Sequence, residues 1–351
     1  MKKNLFGLTI DELTNELLKL NLPKFRAKQI ISWIYQRGAN SFDQMTDLSK
    51  NLRQQLNDNY EIKICKLIDR LDSKDRLTTK FLLEFDDGAT VESVLMRHDY
   101  GNSICISTQV GCAMGCKFCA STQKGLERNL TSAEIFAEVF FVNELLKQNS
   151  ERVDSVVIMG IGEPLMNFDN LIKALELIHA EYSLNLSYRK ITVSTCGIVP
   201  KIYQLAEIDL PITLSISLHA PNNELRSLLM PINNNFNINE VVKAGGDYAK
   251  STGRRVTYEY ILISEVNDTT EHARQLIKIL SGQLANVNLI PLNPIEENNF
   301  KRPAKDRIKN FCDLLNAHGL TATIRKEFGM KINAACGQLR SNYLSFRRKK
   351  T

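Results

Sequence analysis

The sequence predicts an α/β protein whose core is an incomplete, six-unit barrel of parallel strands. From residue 131 onward, apolar strand-like segments alternate with amphipathic helical segments, which is the order of parallel strands joined by crossover helices. The chain has 351 residues, enough to bury a large core, but it has too few alternating units for a closed eight-fold barrel. We expect SICIST, residues 103–108, to be the first barrel strand.

The barrel is predicted to span residues 98–336. Its later strands are expected at VDSVVIMG, KITVST, ITLSISL, RVTYEYILI and ANVNLIPL. The helices between or after them are expected at LTSAEIFAEVFFVNELL, NFDNLIKALELI, INEVVKAGGDYA, DTTEHARQLIKIL and KDRIKNFCDLL. Thr131 and Glu134 stand in capping-box register at the start of the first of these helices, which supports that assignment.

Three further segments surround the predicted barrel. Residues 1–60 indicate a small helical domain, with helices at LTIDELTNELLKL, KFRAKQIISWIYQRG and DLSKNLRQQL. We expect residues 61–97 to be a β-rich extension, in which a DDG turn joins TKFLLEF to TVESVLM. Residues 337–351 form a basic tail. The helical domain is expected to be an RNA-binding accessory domain or simply a packing cap, and its basic residues include Lys24, Arg26 and Lys28.

Composition and charge limit the class of protein. Hydrophobic residues make up 43% of the chain, and no apolar run reaches the roughly 20 residues that a membrane helix needs. The N-terminal stretch becomes acidic and helical too early for a signal peptide. We therefore expect a cytoplasmic protein with no membrane partner, in a compartment that keeps thiols reduced. The net charge of +6 is mild, but Lys117, Lys124 and Arg128 flank a cysteine-rich loop and favour a polyanionic substrate.

Three cysteines at C-x-x-x-C-x-x-C spacing indicate an inorganic centre. Cys112, Cys116 and Cys119 lie in GCAMGCKFCAST, and no fourth cysteine follows closely in the sequence. Fe–S cubanes usually have four cysteine ligands, so three thiolates leave one iron open to a chelator such as S-adenosylmethionine, through its amine and carboxylate. A zinc site with His98 as a fourth ligand is the alternative. The uneven spacing of the eight cysteines argues against a disulfide framework.

Polar residues follow the predicted strands at their carboxyl ends, where ligands bind in parallel α/β folds. The MGIGEP segment ends one strand and offers Gly160 and Gly162 for close backbone approach. Glu163, beside them, offers a carboxylate to an ammonium group. Other strands end in further polar side chains, at Ser194, Ser217, His219 and Asn293. Together these residues predict a binding pocket at one end of the barrel.

Two isolated cysteines differ from the others in their position. Cys105 lies in the predicted first barrel strand. Cys336 lies in an AACGQ segment beyond the last strand, from which it could reach over the barrel mouth. The remaining three, Cys65, Cys196 and Cys312, are expected to be small buried apolar residues.

The ordered set of motifs resembles one family along nearly the whole chain. It runs through ISTQVGCAMGCKFCAST, GLERNL, MGIGEPLMN, ITVSTCGIVP, SISLHAPNNELRSLLMPIN, VNLIPLNP and AACGQLR. The chain is similar to the radical-SAM adenine methyltransferases of ribosomal and transfer RNA, which implies that the partial barrel is a radical-SAM barrel. The resemblance also implies formation of 2-methyladenine at one adenine in the peptidyl-transferase region of 23S rRNA, and at the adenine 3′ of certain tRNA anticodons.

The same resemblance implies cofactors and residue roles. A 4Fe–4S cluster would be held by Cys112, Cys116 and Cys119. S-adenosylmethionine, two molecules per turnover, would bind at Gly162, Glu163, Ser194, Ser217, Leu218, His219 and Asn293. Cys336 would carry the methyl group as S-methylcysteine, and Cys105 would release the product through a transient disulfide with Cys336. Glu92 would be the proton acceptor, although by its position alone it is an exposed strand residue.

The implied partners are 23S rRNA, tRNA and a reducing electron donor such as flavodoxin or ferredoxin, and the protein is expected to be a monomer. The chemistry explains why a radical is needed. Carbon 2 of adenine is electron-poor, so it cannot attack a sulfonium methyl group as an amine would. In the implied sequence the Cys336 S-methyl group loses a hydrogen atom and bonds to the ring, and Cys105 then attacks the Cys336 sulfur.

Two alternatives remain at this point. The near one is a sister activity, methylation of adenine carbon 8 in 23S rRNA, which confers antibiotic resistance and shares the same cysteine motifs. The other comes from a different class and is a non-catalytic RNA-binding protein with a structural metal.

Overall fold

A mixed ten-stranded sheet organises the chain. The structure, a computed structural model, describes residues 2–339. The strands are β1 (Lys3–Asn4), β2 (Tyr60–Glu61), β3 (Lys66–Asp72), β4 (Thr78–Glu84), β5 (Thr90–His98), β6 (Gly101–Ile106), β7 (Gln109–Gly111), β8 (Leu126–Asn129), β9 (Ser155–Ile158), β10 (Ile191–Thr195), β11 (Thr213–Ser217), β12 (Val256–Leu262), β13 (Ala285–Pro291) and β14 (Ala322–Ile324). The α-helices are α1 (Ile10–Leu18), α2 (Phe25–Ile31), α3 (Lys50–Asn59), α4 (Ser132–Lys147), α5 (Phe168–His179), α6 (Val199–Ile208), α7 (Asn223–Leu229), α8 (Ile238–Thr252), α9 (Thr270–Leu280) and α10 (Lys305–Ala317).

Seven strands of the large sheet run parallel and follow one another in space in chain order. The order is β6, β9, β10, β11, β12, β13 and β14. Because each crossover leads to the neighbouring strand in the same direction, the carboxyl ends of these strands lie along one edge of the sheet. In the part of the chain described, the sheet stays open, with β3 and β14 at its two edges.

The predicted parallel α/β core is confirmed. The first six parallel strands coincide with the six predicted segments, beginning at β6. The sequence did not predict β14, which has three residues, or the seven-residue helix α7, because segments this short carry little periodicity. It also missed α6, which follows a strand end directly and carries Pro200 in its first turn.

Four strands form the antiparallel part of the sheet. The strands β3, β4, β5 and β6 pair in that order, and the predicted DDG turn joins β4 to β5. Gly88, in that turn, has a φ of +83°, a value that favours glycine. Burial is continuous from Thr90 to Leu95, which shows that both faces of β5 are covered. A half-exposed strand would instead alternate between buried and exposed residues.

The N-terminal segment packs on the barrel through an aromatic cluster. Phe6 stacks on Phe136 of α4 with ring centroids 5.2 Å apart, and Tyr35 meets the same ring edge-on at 5.3 Å. The predicted capping box at Thr131 is present, and Thr9 forms a second capping box with Glu12 at the start of α1. Within residues 2–339, no helix has the length and apolar character needed to span a bilayer. The basic cluster at residues 347–350 lies outside the described residues.

Candidate active site

The three-cysteine loop lies between β7 and β8, which pair antiparallel at its base. The Cys112 N–H donates to the Gly125 carbonyl at 2.9 Å. Gly111 has a φ of +75°, and a Cβ there would come within 2.0 Å of the Gly125 oxygen. Glycine is the residue that this backbone contact tolerates, so the entry to the loop depends on it.

Ala120 and Ser121, which follow the third cysteine, connect the loop to the C-terminal segment by hydrogen bonds. The Ala120 N–H donates to the Gly337 carbonyl at 2.7 Å. The Ser121 hydroxyl donates to the Leu339 carbonyl at 2.8 Å. These bonds place Cys336 beside the three-cysteine loop although the two segments are far apart in sequence.

The three thiols of the loop line a cavity of about 150 Å³ at the carboxyl ends of the parallel strands. We call it the larger cavity. Seven other residues singled out in the sequence as candidate site residues also line it, namely Gly160, Gly162, Glu163, Ser194, Ser217, His219 and Cys336. Leu218 lies between Ser217 and His219 in the sequence, but its side chain is fully buried and does not line this cavity or the smaller cavity beside it. The pocket expected at the strand ends is therefore present.

Burial favours the protonated form of the three loop thiols. It raises the pKa of Cys112 to about 12 and also raises the pKa values of Cys116 and Cys119. These cysteines are therefore neutral thiols near pH 7, and a bound cationic centre would favour their thiolate forms. In residues 2–339, no three His, Cys, Asp or Glu side chains stand together as a ready-made metal cage.

The zinc alternative required His98 close to these thiols, and the structure contradicts it. The His98 ring stacks on Tyr100 and meets Phe328 edge-on. His98 is not among the residues that line the larger cavity.

Glu163 is buried at the end of β9, and its carboxylate is held by three protein donors. It accepts hydrogen bonds from the Leu165 N–H at 3.0 Å, the Thr195 hydroxyl at 2.7 Å and the Cys196 N–H at 2.7 Å. Burial raises the pKa of Glu163, and these hydrogen bonds oppose the rise. Gly162 precedes it with a φ of +108°, and a Cβ there would clash with Gln109. The sequence predicted the carboxylate but not the donors that orient it.

His219 is a buried neutral imidazole at the end of β11. Its Nδ1 accepts a hydrogen bond from the Ile261 N–H at 3.0 Å, which leaves the proton on Nε2. Burial, reinforced by the Arg226 charge, lowers the pKa of His219 to about 3. The residue has a φ of +57°, in the left-handed region, and its ring meets Phe118 edge-on at 4.8 Å. Its Nε2–H is therefore a fixed donor in the wall of the larger cavity.

A second cavity of about 40 Å³ adjoins the first. We call it the smaller cavity. Cys105, Asn293 and Cys336 line it together with apolar side chains that include Val94 and Met96. Cys336 lines both cavities. The Asn293 side-chain amide donates to the Cys336 carbonyl at 3.2 Å, whereas its Oδ1 is buried without a hydrogen-bond partner. Cys336 thus borders two spaces that contain different predicted site residues.

Arg325 also lines both cavities, and the sequence did not single it out. Its guanidinium lies 3.4 Å from the Met159 sulfur and 3.8 Å from a Glu259 carboxylate oxygen. The nearby Cys336 sulfur raises the pKa of Arg325, with Glu259 adding to the effect. Burial raises the pKa of Cys105 to about 12, Cys336 adds to that rise, and Arg325 opposes it. No motif marks this arginine, because β14 beside it is only three residues long.

The expectation that Glu92 is exposed was wrong. Its side chain is 2% exposed, and Lys80 donates to its carboxylate at 2.8 Å. Lys80 also donates to the Asn333 carbonyl at 3.2 Å, so it bridges Glu92 and the segment that carries Cys336. Glu92 lies on the same face of β5 as Val94, which lines the smaller cavity.

The other cysteines require one correction. Cys196 is buried as expected, but it lines the larger cavity with the three loop cysteines and lies 3.3 Å from the Met114 sulfur. The sequence could not show this, because Cys196 is remote from the loop along the chain. All eight cysteines are free thiols, so no disulfide joins Cys105 to Cys336 in this structure, and the transient disulfide expected during product release stays a prediction.

One of the basic residues around the loop is already neutralised. Arg128 pairs with Asp87 at 2.6 Å and with Glu134 at 2.8 Å. Lys117 and Lys124 remain exposed. The loop therefore presents two lysines, rather than three cations, to a polyanion.

Comparison with known proteins identifies the class. Residues 106–277 match the radical SAM superfamily, and residues 3–62 match the ribosomal RNA large subunit methyltransferase N-terminal domain. A crystal structure of a radical SAM methyltransferase from Sphaerobacter thermophilus is 41% identical, with a TM-score of 0.94 over 97% of this chain and 100% of that one. The fold and the strand-end site are therefore those of a radical-SAM methyltransferase.

The relatives narrow the class further. The chain is 50% identical to a probable dual-specificity RNA methyltransferase RlmN of Clostridium novyi, over 97% of this chain and 99% of the relative. It is 49% identical to the protein with the same description in Desulforamulus reducens, over 98% of this chain and 97% of the relative. The chain belongs to the family of RlmN-type dual-specificity radical-SAM RNA methyltransferases.

The residues present fit the cofactors that this family implies, a 4Fe–4S cluster and S-adenosylmethionine. Three thiols share one cavity, and the strand ends around it supply an oriented carboxylate at Glu163, an imidazole donor at His219 and two hydroxyls. This donor set offers sulfur to iron and polar partners to an amino acid group and a ribose. The alternative of a non-catalytic RNA-binding protein does not agree with family membership along the whole chain.

Proposed function

We propose that this chain forms 2-methyladenine in 23S rRNA and in tRNA, with Cys336 as the methyl carrier. The observation that carries the proposal is the position of Cys336 in the walls of both cavities. A carrier must receive a methyl group in one place and deliver it in another. Cys336 faces the larger cavity, suited to S-adenosylmethionine, and the smaller one, which also contains the Cys105 thiol.

The loop cysteines Cys112, Cys116 and Cys119 would hold the cluster, and Glu163 and His219 would orient S-adenosylmethionine. Gly162, Ser194 and Ser217 would add further contacts from the wall of the larger cavity. Leu218 and Asn293 stay predicted contacts on the family motifs, since neither lines that cavity. When bound, these groups would supply a carbon radical able to remove one hydrogen atom from a methyl group, and they would offer an acceptor for the single electron that the RNA adduct must lose. Two S-adenosylmethionine molecules are used per turnover, the first as the methyl donor to Cys336.

Cys336 and Cys105 act in turn. The Cys336 thiolate would first attack the sulfonium methyl carbon, so that the bond from this carbon to the sulfonium sulfur breaks, S-adenosylhomocysteine leaves and Cys336 becomes S-methylcysteine. After hydrogen removal, the methylene carbon bonds to carbon 2 of adenine and links protein to RNA. The Cys105 thiolate then attacks the Cys336 sulfur, the bond between sulfur and methylene breaks, and its electron pair stays on carbon, which takes up a proton. A disulfide between Cys105 and Cys336 remains and is reduced by a thiol before the next cycle.

Glu92 is proposed to take the proton that carbon 2 loses. Its carboxylate is buried beneath the smaller cavity and is paired with Lys80. The ammonium group keeps the buried carboxylate ionised and therefore basic, since an unpaired charge would be costly there. Because Lys80 also binds the Asn333 carbonyl, the base and the carrier segment share one anchor.

The partners follow from the same proposal. A flavodoxin or ferredoxin would supply the electron, and the N-terminal domain would contact RNA through its exposed Lys24 and Lys28. The protein would act as a monomer in the cytoplasm. The boundaries expected at residues 60, 97 and 336 stay predictions.

Nucleoside mass spectrometry tests the proposal. Ribosomal and transfer RNA from cells with and without this protein should differ in 2-methyladenosine, identified against a synthetic standard. Appearance of 8-methyladenosine instead would assign the chain to the carbon-8 activity. RNA without either nucleoside, from cells that contain iron-loaded protein, would contradict the proposal.

A further inference from the structure

An aromatic stack leads from the smaller cavity to the protein surface. The rings of Tyr100 and His98 are stacked, with centroids 4.6 Å apart and planes inclined by 13°. The His98 ring meets Phe328 edge-on, also at 4.6 Å. Phe328 lines the smaller cavity together with Cys105 and Cys336. The stack therefore begins at the cavity that contains both proposed reactive thiols and ends at solvent.

The outer ring of this stack is unusually accessible. Tyr100 is 78% exposed, the highest value among the exposed large hydrophobic side chains of residues 2–339. It lies in the short turn between β5 and β6, just before Gly101. One face of its ring lies on His98, so the opposite face is open. A flat, solvent-facing aromatic ring next to a reaction cavity is a surface on which another flat ring can stack.

The charges around the stack suit an RNA strand. The Lys326 ammonium lies 5.4 Å from the centre of the Phe328 ring and is exposed. Asp99 is the adjacent acidic group, and Arg97 precedes the stack on β5. The carboxylate of Glu327 is paired with Arg302, so it is compensated. Lys326 is therefore an exposed cation beside the stack, which suits a phosphate group of an RNA backbone.

The imidazole in the middle of the stack is neutral near pH 7. Burial, reinforced by the nearby Lys326, lowers the pKa of His98, and Asp99 opposes this only in part. A neutral ring between two aromatic rings supports stacking without adding a charge that must be desolvated.

We propose that Tyr100, His98 and Phe328 form a stacking platform for an unpaired RNA base next to the target adenine. This inference rests on the proposed function and deepens it. An enzyme that acts on a ring carbon must hold the target base outside a helical stack, and the neighbouring base then loses a stacking partner. Tyr100 replaces that partner, and Lys326 contacts the adjoining phosphate. The platform reads shape and stacking rather than base identity.

The test uses full-length, cluster-loaded protein and an anticodon stem-loop RNA. Tyr100→Ala is compared with Tyr100→Phe and Tyr100→Trp, which retain an aromatic face. Leu284→Ala is the matched control, since Leu284 is 47% exposed and lies at the amino end of β13, whereas both cavities lie at the carboxyl ends of the parallel strands. Two RNAs carry 2-aminopurine, one on the 5′ side and one on the 3′ side of the target adenine.

We expect Tyr100→Ala to raise the half-saturating RNA concentration about tenfold, the loss typical of one base–aromatic stack. The maximal rate and the RNA-independent methylation of Cys336 should change little. Quenching of one 2-aminopurine probe on binding should be lost in Tyr100→Ala and kept in the Phe and Trp variants. Leu284→Ala should behave as the wild type.

Two outcomes would overturn the platform. One is wild-type RNA saturation and quenching in Tyr100→Ala. The other is a lower melting temperature of Tyr100→Ala with unchanged RNA saturation, which would show that the stack only stabilises the turn. Both differ from failure of the proposed function, in which the wild-type protein itself would form no 2-methyladenine.

Discussion

The two cavities that meet at Cys336 differ in almost every property. The larger one is lined by thiols, hydroxyls, a carboxylate and an imidazole, and it lies at the ends of the parallel strands. The smaller one is lined largely by apolar side chains, and two of its walls come from the antiparallel strands β5 and β6. Parallel strand ends supply the polar groups, whereas β5 and the first parallel strand, β6, supply an apolar wall with one buried thiol at Cys105.

This difference indicates a division of work in the fold. The larger cavity is suited to a charged sulfonium cofactor, because such a cofactor needs oriented polar partners at each of its groups. The smaller cavity is suited to a thiol that must stay protonated until it is needed, because burial raises the pKa of Cys105. Changes at the residues shared by the two cavities should therefore have larger effects than changes confined to one of them.

Removing the shared carrier should have the largest effect. Cys336→Ala should reduce RNA methylation to background while leaving iron and sulfide content unchanged, because the loop cysteines are intact. Incorporation of radioactive methyl groups into RNA, alongside iron analysis, measures both. Cys65→Ala is the matched control, since Cys65 lies under α4 with its sulfur 3.8 Å from the Ala137 carbonyl. Full methylation by Cys336→Ala would disprove the carrier role.

Replacing Cys105, the cysteine that lines only the smaller cavity, should block a later step of the reaction. Cys105→Ala should accumulate a covalent protein–RNA species, visible as a shifted band on a denaturing gel, because nothing attacks the Cys336 sulfur. Only free RNA on that gel would contradict the assignment.

The release step in the wild-type protein should accelerate with pH. Burial raises the pKa of Cys105 to about 12, so its thiolate fraction rises about tenfold for each pH unit between pH 7 and pH 9. Decay of the covalent species in quenched single-turnover reactions measures this slope. A flat profile would indicate that another step limits release or that Cys105 is already ionised.

The buried ion pair beneath the smaller cavity should have a smaller effect on turnover. Lys80→Met leaves the Glu92 carboxylate without this cation, so the carboxylate should take up a proton and lose its basicity. We expect a loss of about a hundredfold in turnover, in the range of general-base contributions, with accumulation of the covalent species. The control is Lys66→Met on β3, whose exposed pair with Glu84 at 3.6 Å should contribute little. Equal activity of the two variants would exclude a role for Lys80 in proton removal.

The smallest expected effect is on stability and concerns His219, which lines the larger cavity. The unfolded pKa of histidine is near 6.5, and that of His219 in the folded protein is about 3. Below pH 6.5 the unfolded state binds a proton that the folded state does not, so the free energy of unfolding decreases as the pH is lowered. At pH 5 the loss from this residue is about 2 kcal/mol. His219→Asn keeps an acceptor for Ile261 and tolerates a positive φ, so chemical denaturation should show a flatter pH dependence.

The parallel core was predictable because each strand and helix there carries its own pattern. Strand β9 and the capping box of α4 are visible as an apolar run and as Thr131 with Glu134. The strand-end residues Glu163 and His219 followed from topology alone, since parallel strands end at one edge. Family motifs then supplied roles that patterns cannot give, such as that of Cys336.

The antiparallel part was harder to predict, for physical reasons. The TVESVLM segment contains the polar residues Thr90, Glu92 and Ser93, which is typical of a strand with an exposed face. In the structure the C-terminal segment covers the polar face, through contacts such as that of Lys80 with the Asn333 carbonyl, and Glu92 is buried. Arg325, Cys196 and the His98 stack depend on similar long-range contacts, which one stretch of sequence does not reveal.

The hydrogen bonds from Ala120 to Gly337 and from Ser121 to Leu339 join segments that are synthesised at different times. Ser121 and Leu339 are 218 positions apart in the chain. A translating ribosome therefore delivers the three-cysteine loop long before Cys336 is added. A prematurely terminated polypeptide would retain the three cysteines proposed to hold iron and would lack the proposed methyl carrier.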